Sequence, residues 1–573
     1  MRDGKSLFIL GIDGGTFDVV LPMIRNGELP TLNRLMKEGV YGELNSTLPP
    51  MTPPAWSSFA TGLNPGKHGV YDFTERVPGT YSVRFVNASM RHGKNIWTIA
   101  SEFGKRVAVM AVPFTYPPDR VNGVMISGID APGGAKSDPR VIMYPPHLYD
   151  ELIKNVGPYI ITSSPVKYIY GGDMKLALDR ILEAVERKGD TAKYLIQKDN
   201  WDLFIMVFGE TDLVGHHFWK YHDPNSPFYE RTLPEINDAV RTVYGTIDRK
   251  IGEMLSLFPN DASVMVVSDH GFGGNGDVVI HLNRVLEEMG FLRFKGFASA
   301  EYISALILDR VKKMGLKLTP QIMRRELIKK QRGGIVNKME SWLRFSLIDW
   351  SQTLAYSEET PYFPLIWINL KGREPKGIVS PGAEYERVRE DIIRRLAALK
   401  DPFTGTPVVK AAYKREEIYT GPYVEKAPDI IIDWNNPNGY SYMSRSSLYS
   451  KNKGSIRRFT KEEMKSDGFR NKSGNHRQYG IFIACGGVFE KGKSIEGAQI
   501  IDIAPTALYI QGIPIPKTMD GRVLTQAISP EFLANHDPVF SEDINEDGAD
   551  AHPYTEEESE IIRRRLKDLG YLE

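Results

Sequence analysis

The chain has 573 residues, which exceeds one simple domain unless a single large core carries an insertion. Lysine plus arginine equal aspartate plus glutamate at 72 each, which argues against a chain built as a whole to coat nucleic acid or an anionic membrane. The one cysteine, Cys485, leaves no disulfide framework and no thiolate zinc cluster, while a hydrophobic content of 41% is ample for a substantial core.

The first predicted element is "LFILGI" (7–12), a buried strand ending at Asp13. It is too short for a signal peptide, and no other run is long enough to span a bilayer, so the expected compartment is the cytoplasm. Next comes "PPMTPPAWSSFATGLNPGKHGV" (49–70), where Pro53 and Pro54 suit a first helical turn. Thr52 is expected at that helix's N-cap, its hydroxyl beside free backbone donors and the positive end of the dipole. "VAVMAV" (107–112), "LFIMVF" (203–208) and "VMVV" (264–267) read as further buried strands. Ile236, Val240, Val243, Ile247, Ile251, Met254 and Phe258 recur at helical spacing between the last two. Strand alternating with helix predicts an α/β fold, a mostly parallel central sheet with helices on both faces.

The middle of the chain differs. From Arg293 to Arg344 there are thirteen Lys/Arg against four Asp/Glu, on segments of helical character. From about 351 to 425 the sequence is rich in Tyr, Pro and Gly, so 291–419 is read as an inserted, basic, partly helical cap. The core is then discontinuous, 1–290 and 420–535, resuming with "DIIID" (429–433), "YGIFIA" (479–484) and "DIAPTALYIQG" (502–512). Residues 536–573 are an acidic linker and a short helix with Gly570 as its stop.

In a parallel sheet, ligands bind where strands end. Asp13 follows the first strand, "GETDLVGHHFW" with Asp212 and His216 follows 203–208, and "SDHG" with Asp269 and His270 follows 264–267. His476 stands in "SGNHRQYG", just before 479–484. Three carboxylates and three imidazoles are donors suited to zinc or manganese, enough for two metals about 4 Å apart. Taken singly, each motif is more often surface chemistry or a plain cap; four such sites in one chain are hard to assign to chance. Thr52 is the best candidate nucleophile, with Ser46, Thr47, Ser57 and Ser58 as competing hydroxyls.

These segments, together with "GIDGGTFD", "LPTLNRLMKEGVYGEL", "GNHRQYGIFIACG" and "IDIAPTALYIQGIPIPKTMDGRVL", resemble the alkaline phosphatase superfamily and, within it, the type I phosphodiesterase/nucleotide pyrophosphatase family. The resemblance implies an alkaline-phosphatase-like fold and two divalent ions, zinc first and manganese second. It implies one ion held by Asp13, Asp269 and His270 with Thr52 touching it, and a second held by Asp212, His216 and His476. Thr52 would attack phosphorus to give a covalent phosphothreonine. Many nucleotide pyrophosphatases carry Asn three residues after this Thr, where the present chain has Ala55 followed by Trp56. Backbone N–H groups or Asn475 are the expected replacements, and Trp56 the expected apolar surface for a second ester group. His68 is expected to make a structural hydrogen bond, and His217 to point away from the ligands.

The function expected is therefore a metal-dependent phosphodiesterase or pyrophosphatase acting on a small anionic phosphoester: a nucleotide, nucleotide sugar or lipid headgroup. The alternatives are a phosphomonoesterase or phosphosugar mutase on the same scaffold, or an inactive scaffold binding anionic ligands. A sulfatase would need Cys or Ser where Thr52 stands. No specific nucleic-acid binding is expected.

Overall fold

The computed structural model describes residues 6–132, 138–163, 165–295, 345, 347–447, 454–460, 463, 472–542 and 553–569. Leu7–Ile12 is buried at every position and pairs in parallel with Leu203–Phe208 on one side and Ser263–Val267 on the other. Apart from Ser263 at the start of one, nothing polar interrupts these three strands, because helices cover both of their faces. They form the centre of a ten-stranded sheet whose order runs 493–494, 40–45, 479–486, 263–267, 7–12, 203–208, 107–110, 123–126, 143–144, with 498–499 also pairing on 40–45. Tyr479–Gly486 and Met143–Tyr144 run against the rest. The sheet is therefore mostly parallel, and apolar clusters on its two faces form the main core.

The apolar stripe between 236 and 258 lies on Ala239–Leu255, preceded by a separate short turn, Pro234–Asn237. The break falls at Asp238, whose φ/ψ of −90° and 3° leaves the helical region. Ile430–Trp434, expected in the main sheet, pairs instead in a four-stranded antiparallel sheet with Ala355–Ser357, Ile366–Ile368 and Val409–Lys414. An unbroken apolar run fits either sheet, since both bury it on two sides; the small sheet has its own apolar cluster with the helix Ala383–Ala397. Residues 296–344, which hold nearly all of the basic segment, lie outside the described residues, as does Gly570. No helix among the described residues is long and apolar enough to cross a membrane.

Candidate active site

Asp13 and the Asp269–His270 pair leave adjacent parallel strands at the same end, and Asp212 and His216 sit on Glu210–His222, the helix that follows the third. Spacing of four residues puts both on one face of that helix. His476 arrives on Gly474–Arg477, which pairs antiparallel with the start of Gly271–Ile280 and brings His476 opposite Phe272. The helix can approach because a Cβ on Gly474 would lie 2.4 Å from both the Gly215 carbonyl oxygen and the Phe272 ring. Behind Asp13 the chain turns through Gly14 at φ 65°, a conformation that a side chain would strain.

Five of the six residues form two clusters, and His216 stands beside the second against Asp212. Asp13, Asp269 and His270 form one; Asp212 and His476 form the other, with His270 within reach of both. His270 Nε2 lies 3.2 Å from Asp269 and 3.6 Å from Asp13, while His216 and His476 Nε2 lie 3.3 and 3.2 Å from the same Asp212 oxygen. Each imidazole uses its Nδ1–H on a backbone carbonyl: His270 on Gly271 at 3.0 Å, His216 on Gly474 at 3.1 Å and His476 on Pro50 at 2.9 Å. That arrangement fixes the tautomer and turns each Nε2 toward the carboxylates, as in metal-binding histidines. His216 and His476 Nε2 stand 3.0 Å apart, so two lone pairs face one another unless something positive lies between them.

The electrostatics lead to the same conclusion. Burial pushes Asp13 and Asp269 well above the usual carboxylate range, and neighbouring carboxylates add to it: Asp269 and Asp212 on Asp13, Asp212 on Asp269. Asp212 goes the other way; against the cost of burial, His216 and His476 hold it well below that range. Burial drives His270 and His476 down, so they stay neutral donors. Asp13 Oδ1 and Asp269 Oδ2 are buried without a hydrogen-bond donor. Buried charges are stable when paired or metal-coordinated, and this donor set of oxygen and nitrogen fits divalent ions.

Thr52 is fully buried, with its Oγ1 3.3 Å from His270 Nε2. The helix runs Thr52–Thr61, so Met51 is the N-cap and Thr52 its first residue. The free donors expected beside Thr52 are largely missing. Pro53 and Pro54 have no N–H, and the Ala55 N–H is bonded to Met51 O at 3.1 Å. Trp56, expected to offer a surface to substrate, is fully buried, packs edge-on against Phe59, and donates its Nε1–H to Asp13 Oδ2 at 3.1 Å. Asn475 is also turned to local use, its Oδ1 accepting the His476 N–H at 2.8 Å.

His68 makes the structural hydrogen bond expected of it, whereas the direction of Arg477 was not given by the sequence. His68 Nε2 bonds Ser58 Oγ at 3.0 Å, a structural contact. Arg477 points its guanidinium at the carbonyls of Gly274, Gly439 and His476, away from the clusters. Periodicity and motif spacing missed Tyr362. Its ring stacks on His476 at 5.4 Å and 8°, and its hydroxyl is 3.4 Å from His216 Nδ1. Only the tertiary fold brings that loop here. A pocket opens beside Met51, lined by Tyr71, Glu75, Arg76, Phe363 and Trp367 among others.

The family model that matches this chain makes it a hydrolase acting on phosphoester or anhydride bonds. The chain belongs to the type I phosphodiesterase/nucleotide pyrophosphatase family, whose model matches residues 7–456. Among solved structures, the chain is similar to phosphonoacetate hydrolase from Sinorhizobium meliloti 1021 in complex with phosphonoformate. The identity is 16% and the TM-score 0.51, over 88% of this chain and 95% of that one. It is also similar to murine ectonucleotide pyrophosphatase/phosphodiesterase 5, in an inactive form with AMP, at 14% identity and a TM-score of 0.47, over 92% of this chain and 100% of that one. No curated protein matches the chain.

Proposed function

We propose that the chain is a phosphodiesterase or pyrophosphatase that works through a covalent intermediate on Thr52. The observation that carries this reading is the position of the Thr52 hydroxyl, 3.3 Å from His270 Nε2 at the edge of two convergent ligand clusters. Asp13, Asp269 and His270 would hold one divalent ion, and Asp212, His216 and His476 the second. Zinc is the first choice and manganese the second. Such ions, when bound, supply Lewis acidity and lower the pKa of hydroxyl and water.

The residues do the rest. Thr52 Oγ attacks phosphorus in line, the bond to the leaving oxygen breaks, and a phosphoryl-threonine carrying the retained group forms. Water then attacks the same phosphorus, frees Thr52 and releases a phosphomonoester. The pocket beside Met51 accommodates one of the groups on phosphorus. Trp56 keeps Asp13 oriented, and the three carbonyl-bound imidazoles are preorganised.

A preference for diesters or anhydrides over simple monoesters follows. Monoesterases add a guanidinium for the extra charge. Here the stretch from Asn45 to Gly66 contains no Arg or Lys, and Arg477 is turned away. Catalytic efficiency for an aryl monoester and its methyl or nucleoside diester tests this. A monoester advantage of about tenfold, or about 1.4 kcal/mol, would remove the diesterase reading.

A further inference from the structure

We propose that the buried Lys188–Glu210 ion pair is a positioning device that fixes the rotation of the helix Glu210–His222, and with it the second ligand cluster. The inference rests on the two-ion reading above and goes beyond it to residues outside the ligand set. The sequence pattern sets Lys188 apart. On the helix Met174–Lys198 a buried stripe runs Ile181, Val185, Lys188, Ala192 and Leu195, so a lysine stands where helical spacing calls for an apolar side chain. Its ammonium lies 2.8 Å from Glu210 Oε1, and the two side chains are 2% and 3% exposed. Glu210 Oε2 is buried without a hydrogen-bond donor among the described residues. A pair this dry returns little stability, because desolvation offsets the attraction, and apolar residues of similar volume would hold the two helices as well. What such residues would not supply is direction.

Direction matters at Glu210. It opens the helix that carries Asp212 and His216, and the N-cap, Gly209, has no side chain to fasten that end. Three consecutive residues then face three ways, each turned about 100° from the last. Glu210 meets Lys188, and Thr211 donates its hydroxyl to the Asp13 carbonyl at 2.5 Å. Asp212 lies 3.3 and 3.2 Å from His216 and His476 Nε2. The first two contacts go to different parts of the fold, one to a flanking helix and one to the end of the central strand. Together they stop the helix from turning about its own axis. Such a turn would carry Asp212 away from His476, which is held by a separate strand.

The test is equilibrium titration of metal-free protein with zinc, with Asp212→Asn marking the step that belongs to the second cluster. Removing one partner would bury an unpaired charge, so both are replaced together, Lys188→Met with Glu210→Leu. Denaturant unfolding of the metal-free double variant should show wild-type stability or better. Its Asp212 step should weaken about 10- to 100-fold, the scale of loss for groups that orient a ligand, while the Asp13 step stays unchanged. A folded double variant that binds both ions as the wild type does overturns the proposal, and so do equal losses at the two sites. If the double variant does not fold, the isosteric Glu210→Gln replaces it. That variant must weaken the Asp212 step alone, and unaltered binding would again overturn the assignment. A wild-type protein that takes up no divalent ion defeats the two-ion reading instead, which is distinguishable because failure of the ion pair alone leaves wild-type binding intact.

Discussion

Thr52 and Trp56 stand four residues apart on one helix and carry separable tasks. Thr52→Ala should abolish turnover and leave metal content near wild type, because in the proposed site Thr52 would be one contact to one ion. Activity assays with elemental analysis of the same sample check both halves, and substantial residual turnover would move the nucleophile to another hydroxyl. Trp56→Phe keeps the packing on Phe59 but deletes the donor to Asp13 Oδ2. Loss of a group that orients a ligand costs about 10- to 100-fold in metal affinity. The loss should fall on the Asp13 cluster alone, and equilibrium metal titration should show one weakened site and one unchanged. Asp212→Asn should produce the mirror image.

At the scale of elements, the helix Thr52–Thr61 is pinned to the next turn by His68, which bonds Ser58 and accepts the Val70 N–H. Burial, then the nearby Arg91, lowers the His68 pKa from 6.5 to about 3. The sign follows from linkage. Above 6.5 neither state holds the proton and the contribution is complete; as pH falls from 6.5 toward 3, the unfolded chain binds a proton that the folded one refuses. Stability then drops by up to about 1.4 kcal/mol per pH unit from this group. His68→Gln should flatten that slope, which denaturant unfolding at pH 7 and pH 5.5 measures. An identical slope in both proteins would mean that His68 titrates normally.

For the whole molecule, the described C-terminal helix Glu556–Leu569 closes back on the core. Ile562 and Leu566 are buried, and Arg565 donates to the carbonyls of Ile129 and Ala131. Tyr554 reaches the Asp130 carbonyl at 2.6 Å. Arg565→Ala leaves two buried carbonyls short of a donor, at a cost of about 1–3 kcal/mol. Hydrogen exchange should quicken in 556–569 and in 127–131 together. Faster exchange in the helix alone would mean that the loop is held by other contacts.

The strand at 7–12, the Asp13, Asp212/His216 and Asp269/His270 motifs and the Thr52 helix were legible in the sequence. Buried parallel strands are unbroken apolar runs, and their ends are where ligands stand. What each side chain does with its polar atoms was not legible. Whether Trp56 faces solvent or Asp13, which way Arg477 turns, and whether Ala55 keeps a free N–H all depend on partners distant in sequence or on one hydrogen bond of the helix start. The same holds for Ile430–Trp434, whose apolar run suits either sheet. Tyr362 reaches the site only through long-range packing, so no local period or spacing could have marked it. The sequence by itself determined the family and the mostly parallel sheet, because these follow from local patterns. The tertiary structure alone decided what each polar side chain is bonded to, because hydrogen-bond capacity is used up by neighbours that only folding supplies.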